Sequence, residues 1–148
     1  MSETSTEATP RSGSYLIPSF QHARVADAMR PGLISCPPDS SMRDVARIMS
    51  TNHVHAVVVR GVAGGGGWGV VSDRDLLKVA AGAEDQDAGS CASEVLVTVA
   101  PEELLEVACE LMRAHSVSHV MVVDPSNNQP LGVVSTLDVA GIVAWGRA

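Results

Sequence analysis

From Val25 onward the chain switches between two hydrophobic periods, and it runs through the same switches twice. Leu33-Ile34-Ser35 is a short apolar stretch that predicts a strand, and Pro38-Asp39 signals a helix start. Met42, Val45, Ile48 and Met49 follow at helical spacing. The β-branched run Val54 to Val59 predicts a strand, the stretch Gly61 to Gly67 a loose hairpin loop, and Gly69-Val70-Val71 a second strand that enters a helix at Ser72. The order then returns. Leu96-Val97-Thr98 is followed by Pro101-Glu102, and Leu104, Leu105, Ala108, Leu111 and Met112 fall at helical spacing. Val117 to Val123, the loop Asp124 to Pro130, Gly132-Val133-Val134 and a helix from Ser135 complete the copy. Each copy reads β-α-β-β-α, and so small a sheet cannot bury both of its faces alone. The fold class is α+β, with tandem repeats that pack two small sheets together and keep the helices outside.

The copies are in constant register. Slid by 63 residues, Ser35 falls on Thr98, Pro38 on Pro101, Met49 on Met112, Val57 on Val120, Gly69–Ser72 on Gly132–Ser135 and Asp75 on Asp138. Ahead of this block, Val25–Met29 (VADAM) aligns with Cys91–Val95 (CASEV) if Arg30-Pro31-Gly32 is an insertion. These observations divide the chain into a tail over 1–22, a first copy over 23–88 and a second over 89–148. Residues 1–13 are polar and are expected to be disordered, with Tyr15 and Phe20 as candidate pins for the arm that follows.

Composition narrows the function. Apolar residues make up 45% of the chain but aromatics only 3%, so Val, Ala, Leu, Ile and Met must fill the core, and stacking platforms for bases are not expected. The net charge is −7, and Lys78 is the only lysine, which argues against nucleic acid and anionic membranes as partners. No apolar run reaches membrane-spanning length and no secretion signal opens the chain. Cys36, Cys91 and Cys109 are dispersed and make no CxxC pair, which fits buried thiols in a reducing cytoplasm. The four glycines Gly64–Gly67 lead into a strand with no Gly-Lys-Ser/Thr after them, so they read as a hairpin rather than a phosphate loop.

The candidate chemistry lies at the duplicated turns Ser72-x-x-Asp75 and Ser135-x-x-Asp138. Ser at an N-cap and an acid three residues on make a capping box, which needs no ligand. The same place presents free N–H groups to an anion, a hydroxyl to a phosphate oxygen and a carboxylate to the hydroxyls of a ribose. His53 and His55 stand two apart on a predicted strand and face one side, but no acid or Cys at suitable spacing completes a metal site. No G-x-S-x-G elbow occurs, and a duplicated pair of residues suits two binding clefts better than one reaction centre. No enzyme, no metal and no required cofactor are expected.

The order Val-x-Asp-x-Met (Cys91–Val95 in the second copy), Pro, helix, β-branched strand and Gly-Val-Val-Ser-x-x-Asp, followed in both copies between Val25 and about Trp145, resembles the cystathionine-β-synthase-type (CBS) domain. The resemblance implies a CBS-domain pair with two clefts that bind adenosine-containing ligands (AMP, ADP, ATP or S-adenosylmethionine). It also implies pairing into a homodimer and control of an unidentified regulated protein. By the same resemblance Asp75 and Asp138 match ribose-hydroxyl acceptors, and Ser72 and Ser135 match phosphate-side hydroxyls. Ile34, Ser35 and Cys36, with Val97 and Thr98, match the segments whose backbone recognises adenine. His53 to Ala56, including His55, and Ser116 to His119 match pocket-lining positions. Arg74 lies between Ser72 and Asp75, where the second copy has Leu137 and no cation, which predicts a first site more tolerant of polyphosphate. The alternatives from the residues alone are an interaction or structural protein whose turns are only caps, and a metal- or redox-responsive module built on His53, His55 and the thiols.

Overall fold

The structure, a computed structural model, describes residues 16–30, 32–62, 67–94 and 97–147. The first copy contributes α1 (Val25–Ala28), β1 (Ser35–Cys36), α2 (Met42–Asn52), β2 (Ala56–Val62), β3 (Gly67–Ser72) and α3 (Asp73–Val79), and a 3-10 turn over Ala80–Asp85. The second contributes α4 (Ala88–Cys91), β4 (Ser93–Glu94), β5 (Thr98–Val99), α5 (Leu105–His115), β6 (His119–Val123), β7 (Pro130–Ser135) and α6 (Thr136–Trp145). One sheet has the order β1-β2-β3-β4 and the other β5-β6-β7. In each, the first strand is parallel to the second (Ser35 opposite Val58, Thr98 opposite Met121) and the hairpin after it is antiparallel.

The strands are apolar on both faces, and the period of two sends alternate residues to different cores. Val57, Val59 and Val71 meet Met42, Val45 and Met49 of α2. Val120, Val122 and Val134 meet Leu105, Ala108 and Met112 of α5. Val58, Met121 and Val123 form a third core, joined by Trp68, Val70 and Val133, where the two sheets pack on each other. The layers are therefore helices, sheet, sheet, helices, as the sequence predicts.

The 63-residue register extends further than the sequence alignment allowed. α1 and α4 begin at Val25 and Ala88, in register without the supposed insertion at Arg30-Pro31-Gly32. Each of these helices is docked on the other copy. Leu105 N–H donates to Ala23 O at 2.9 Å, and Met42 N–H to Gln86 O at 2.8 Å. Val25 N–H donates to Glu103 O and Ala88 N–H to Ser40 O, both at 2.8 Å. Ala23 and Val25 thus lie in the second core and Ala88 in the first, all fully buried. The boundary between 88 and 89 falls inside α4, so the halves of the sequence are not the halves of the core.

Crossing chains explain the glycine of Gly-Val-Val-Ser. A Cβ on Gly132 would come within 2.7 Å of Met29 Cε and 3.2 Å of Arg30 O, where the segment leaving α1 passes over β7. Gly69 pairs with Glu94 of β4 in the corresponding place.

Several boundaries differ from the sequence reading. α2 starts at Met42, capped by Ser41, whose side chain accepts from Asp44 N–H at 3.1 Å; Pro38-Asp39 lies in the preceding turn. The two-residue strands β1 and β5 lie one or two residues beyond the stretches expected for them. His53 is not on a strand: it closes α2 in the left-handed region at φ 55°, as Ser116 closes α5 at φ 54°. The shared-face premise for His53 and His55 therefore falls. Ile17 and Phe20 pack against the second core, and Arg147 N–H donates to Ile17 O at 2.8 Å. Tyr15, the expected disorder of 1–13 and the centre of the glycine loop lie outside the described residues. No described helix is long and apolar enough to cross a membrane.

Candidate functional site: two clefts, each made by both copies

Ser72 and Ser135 cap α3 and α6 with full capping boxes. Ser72 Oγ accepts from Asp75 N–H at 3.4 Å, while Ser72 N–H and Oγ–H donate to Asp75 Oδ2 at 2.9 and 3.1 Å. Around Ser135 and Asp138 the same three bonds measure 3.2, 2.8 and 3.0 Å. The cap therefore occupies one carboxylate oxygen and leaves the other. Asp75 Oδ1 faces Lys78 Nζ at 3.9 Å, and Asp138 Oδ1 faces Arg30 Nε at 3.5 Å. Within each carboxylate the capping box uses Oδ2 and not Oδ1.

Two clefts open beside these carboxylates, and each is assembled across the copies. A cleft of about 400 Å³ joins Ser72, Arg74 and Asp75 to Val97, Ser118 and His119. Another of about 350 Å³ joins Ser135 and Asp138 to Arg30, Ile34, His55 and Ala56. The Ser-x-x-Asp turn of one copy thus meets the first strand region and the second strand of the other. Of the residues singled out in the sequence, Ser35, Cys36, His53 and Thr98 line neither cleft. Cys36 lies in the first core, where burial pushes its thiol up.

The sequence reading missed Arg30, Asn52, Lys78 and His115, which also line the clefts. It also held that the Ser135 cleft lacks a cation. That is corrected: Arg30 supplies one through space, from the stretch taken for an insertion. The 63-residue register sets Arg30 against Ser93, a lining residue of the other cleft, but the sequence alone does not mark either position as cleft-lining.

His119 lines both clefts and opens β6 opposite Ser135. Its Nδ1 lies 2.9 Å from Ser118 Oγ. Burial pushes its pKa below the ordinary histidine value; His55 adds to the effect, and Asp73 and Asp138 oppose it. His55 Nδ1 lies 3.0 Å from Asp73 Oδ2. The position equivalent to His119 in the first copy is Ala56, so a single imidazole stands where the clefts meet. Among the described residues no group of three or more His, Cys, Asp or Glu is gathered for a metal ion.

Two interlocked β-α-β-β-α units with a cleft of small-molecule size at each crossing define a tandem-repeat module. The family model described as CBS domain matches residues 25–82 and again 88–144, and the chain belongs to that family. It is 30% identical over 120 residues to the CBS domain-containing protein YhcV of Bacillus subtilis, an alignment covering 78% of this chain and 82% of that protein. It is 31% identical over 117 residues to a homoserine O-acetyltransferase of Methanocorpusculum labreanum; the alignment covers 78% of this chain but only 23% of that much longer protein. Among solved structures, a CBS domain protein from Pyrobaculum aerophilum complexed with AMP is similar, at 30% identity and a TM-score of 0.67. That match covers 82% of this chain and 95% of the other.

Proposed function

We propose that the chain is a regulatory module that binds adenosine-containing ligands (AMP, ADP, ATP or S-adenosylmethionine) in its two clefts and catalyses no reaction itself. The observation that carries this reading is the second carboxylate oxygen of Asp75 and of Asp138, which the capping box leaves available beside a cleft. A cis-diol needs an acceptor of that kind, held rigidly by a neighbouring bond network. AMP in the similar Pyrobaculum protein supports the ligand class. In this reading Asp75 and Asp138 accept from the ribose hydroxyls, Ser72 and Ser135 face the phosphate side, and Ile34 and Val97 flank the base.

A ligand seated between the copies favours one arrangement of the two halves, and only that differential affinity passes a signal onward. The receiver is a regulated partner protein, and the module works as a homodimer in the cytoplasm. The test is thermal melting with AMP, ADP, ATP and S-adenosylmethionine, on wild type and on Asp75→Ala and Asp138→Ala. A ligand at 100 times its Kd adds about 2.7 kcal/mol of apparent stability. Each variant should lose part of the ligand-induced rise, measured from its own unliganded baseline because the substitution also removes a cap. Melts unmoved by every one of these ligands would sink the reading and leave an interaction protein in its place.

A further inference from the structure

The two clefts are equivalent position by position, so their differences stand out against a common frame. Ser72 and Asp75 correspond to Ser135 and Asp138, and Val97 to Ile34. The cationic positions do not correspond. Arg74 and Lys78 are replaced by Leu137 and Gly141, and Ser93 is replaced by Arg30. The cleft at Ser72 therefore holds two permanent cations against one carboxylate, Asp75. The cleft at Ser135 holds one cation against one, Asp138.

How the cations are engaged widens the gap. In the Ser135 cleft Arg30 is held at both ends of its guanidinium: Nε lies 3.5 Å from Asp138 Oδ1, and Nη1 donates to His53 O at 3.5 Å. In the Ser72 cleft Lys78 occupies the equivalent place beside Asp75, at 3.9 Å. Arg74 is then the surplus cation, and it is exposed. Its counterpart Leu137 is 54% exposed, an apolar side chain where the other cleft has a guanidinium. An anionic chain extending from a bound nucleoside meets the uncommitted fork of Arg74 in the Ser72 cleft, whereas the one fork of the Ser135 cleft, Arg30, is already engaged by Asp138 and His53 O.

We infer that the clefts sort adenosine ligands by the charge of the 5′ substituent: the Ser72 cleft takes nucleoside di- and triphosphates, and the Ser135 cleft takes ligands with at most one phosphate. This rests on the adenosine reading above and adds to it which cleft holds which ligand. One molecule then reads two members of a nucleotide pool at once. The two occupancies report a ratio rather than a single concentration.

Isothermal titration with AMP and with ATP, in chelator to keep ATP metal-free, tests the sorting. Asp138→Ala isolates the Ser72 cleft. In that background Arg74→Leu with Lys78→Gly should lower ATP affinity at least tenfold while changing AMP affinity much less. Asp75→Ala isolates the Ser135 cleft, where Leu137→Arg with Gly141→Lys should raise the ATP-to-AMP affinity ratio by a similar factor. A Cβ at Gly141 meets no atom within 4 Å, so this second exchange does not depend on repacking. If both ligands bind and neither exchange moves the ratio by more than about twofold, the sorting is wrong and the adenosine reading stands. If neither ligand binds wild type at all, the adenosine reading falls and the sorting with it.

Discussion

Asp75 and Asp138 each do with one oxygen what helix geometry demands and keep the other beside a cleft. That division was legible in the sequence only in part. Ser-x-x-Asp is a local pattern, so its cap follows from spacing alone, as does the duplication of the turn. Arg30 and the shared place of His119 were not legible, because both depend on which chain segment lies across the cleft. No local period encodes that. His119 also makes a prediction at this scale. Burial lowers its pKa below the ordinary 6.5, so on acidification the unfolded chain takes up the proton before the folded one. Its contribution to stability is full above that value and is lost as pH falls through it toward the lower folded value. Melts between pH 7.5 and 5 should therefore show a smaller acid-induced decline in His119→Gln than in wild type, with His55, Asp73 and Asp138 left in place around the site. Asp87 and Asp124, held below the carboxylate range by hydrogen bonds from Ser90 and Ser126, act in a separate window below pH 4. Equal slopes in the two proteins would mean that His119 does not control this transition.

At the scale of elements, the β-branched strands and the two amphipathic helices followed from their periods, and their ends shifted by a few residues. The shifts have physical causes. Pro38 and Pro101 start turns rather than helices, and each helix begins where its first N–H, of Met42 or Leu105, donates to a carbonyl just ahead of an exchanged helix. The exchange of α1 and α4 was hidden because four-residue helices carry too little periodicity to reveal a docking site. It is directly measurable. Val25 and Leu105, 80 positions apart in sequence, share a core in which both are fully buried. Leu105→Ala should cost about 2–5 kcal/mol. Combined with Val25→Ala it should show a coupling of about 0.5–3 kcal/mol in a double-mutant cycle followed by urea unfolding. Val45→Ala, in the other helix-side core, should add to Val25→Ala with a discrepancy of no more than about 0.5 kcal/mol. Equal coupling in both pairs would contradict the seating of α1.

On the scale of the whole molecule, the two sheets meet through Val58, Met121 and Val123, and each clamps a helix belonging to the opposite copy. Cut ahead of α4, neither part of the chain holds a complete core. Residues 23–87 and 88–148 expressed as separate chains should each lack a cooperative melt by circular dichroism. Mixed in equal amounts, they should recover one, because both carry the pieces the other is missing. A cooperative transition in either fragment alone would show that the exchanged helices are dispensable.

The exchange also sets the order of synthesis against the order of assembly. α4 follows most of the strands and helices it packs on, so the first core around Met42 and Val57 can close as soon as Ala88 is made. α1 precedes every element it joins, and its seat includes Leu105, Val134 and Ile142. During translation Ala23 and Val25 must therefore wait, apolar and unburied, while most of the chain is made. The interval is one in which a holding chaperone, or a neighbouring nascent copy offering the same seat, finds α1 before its own second half does.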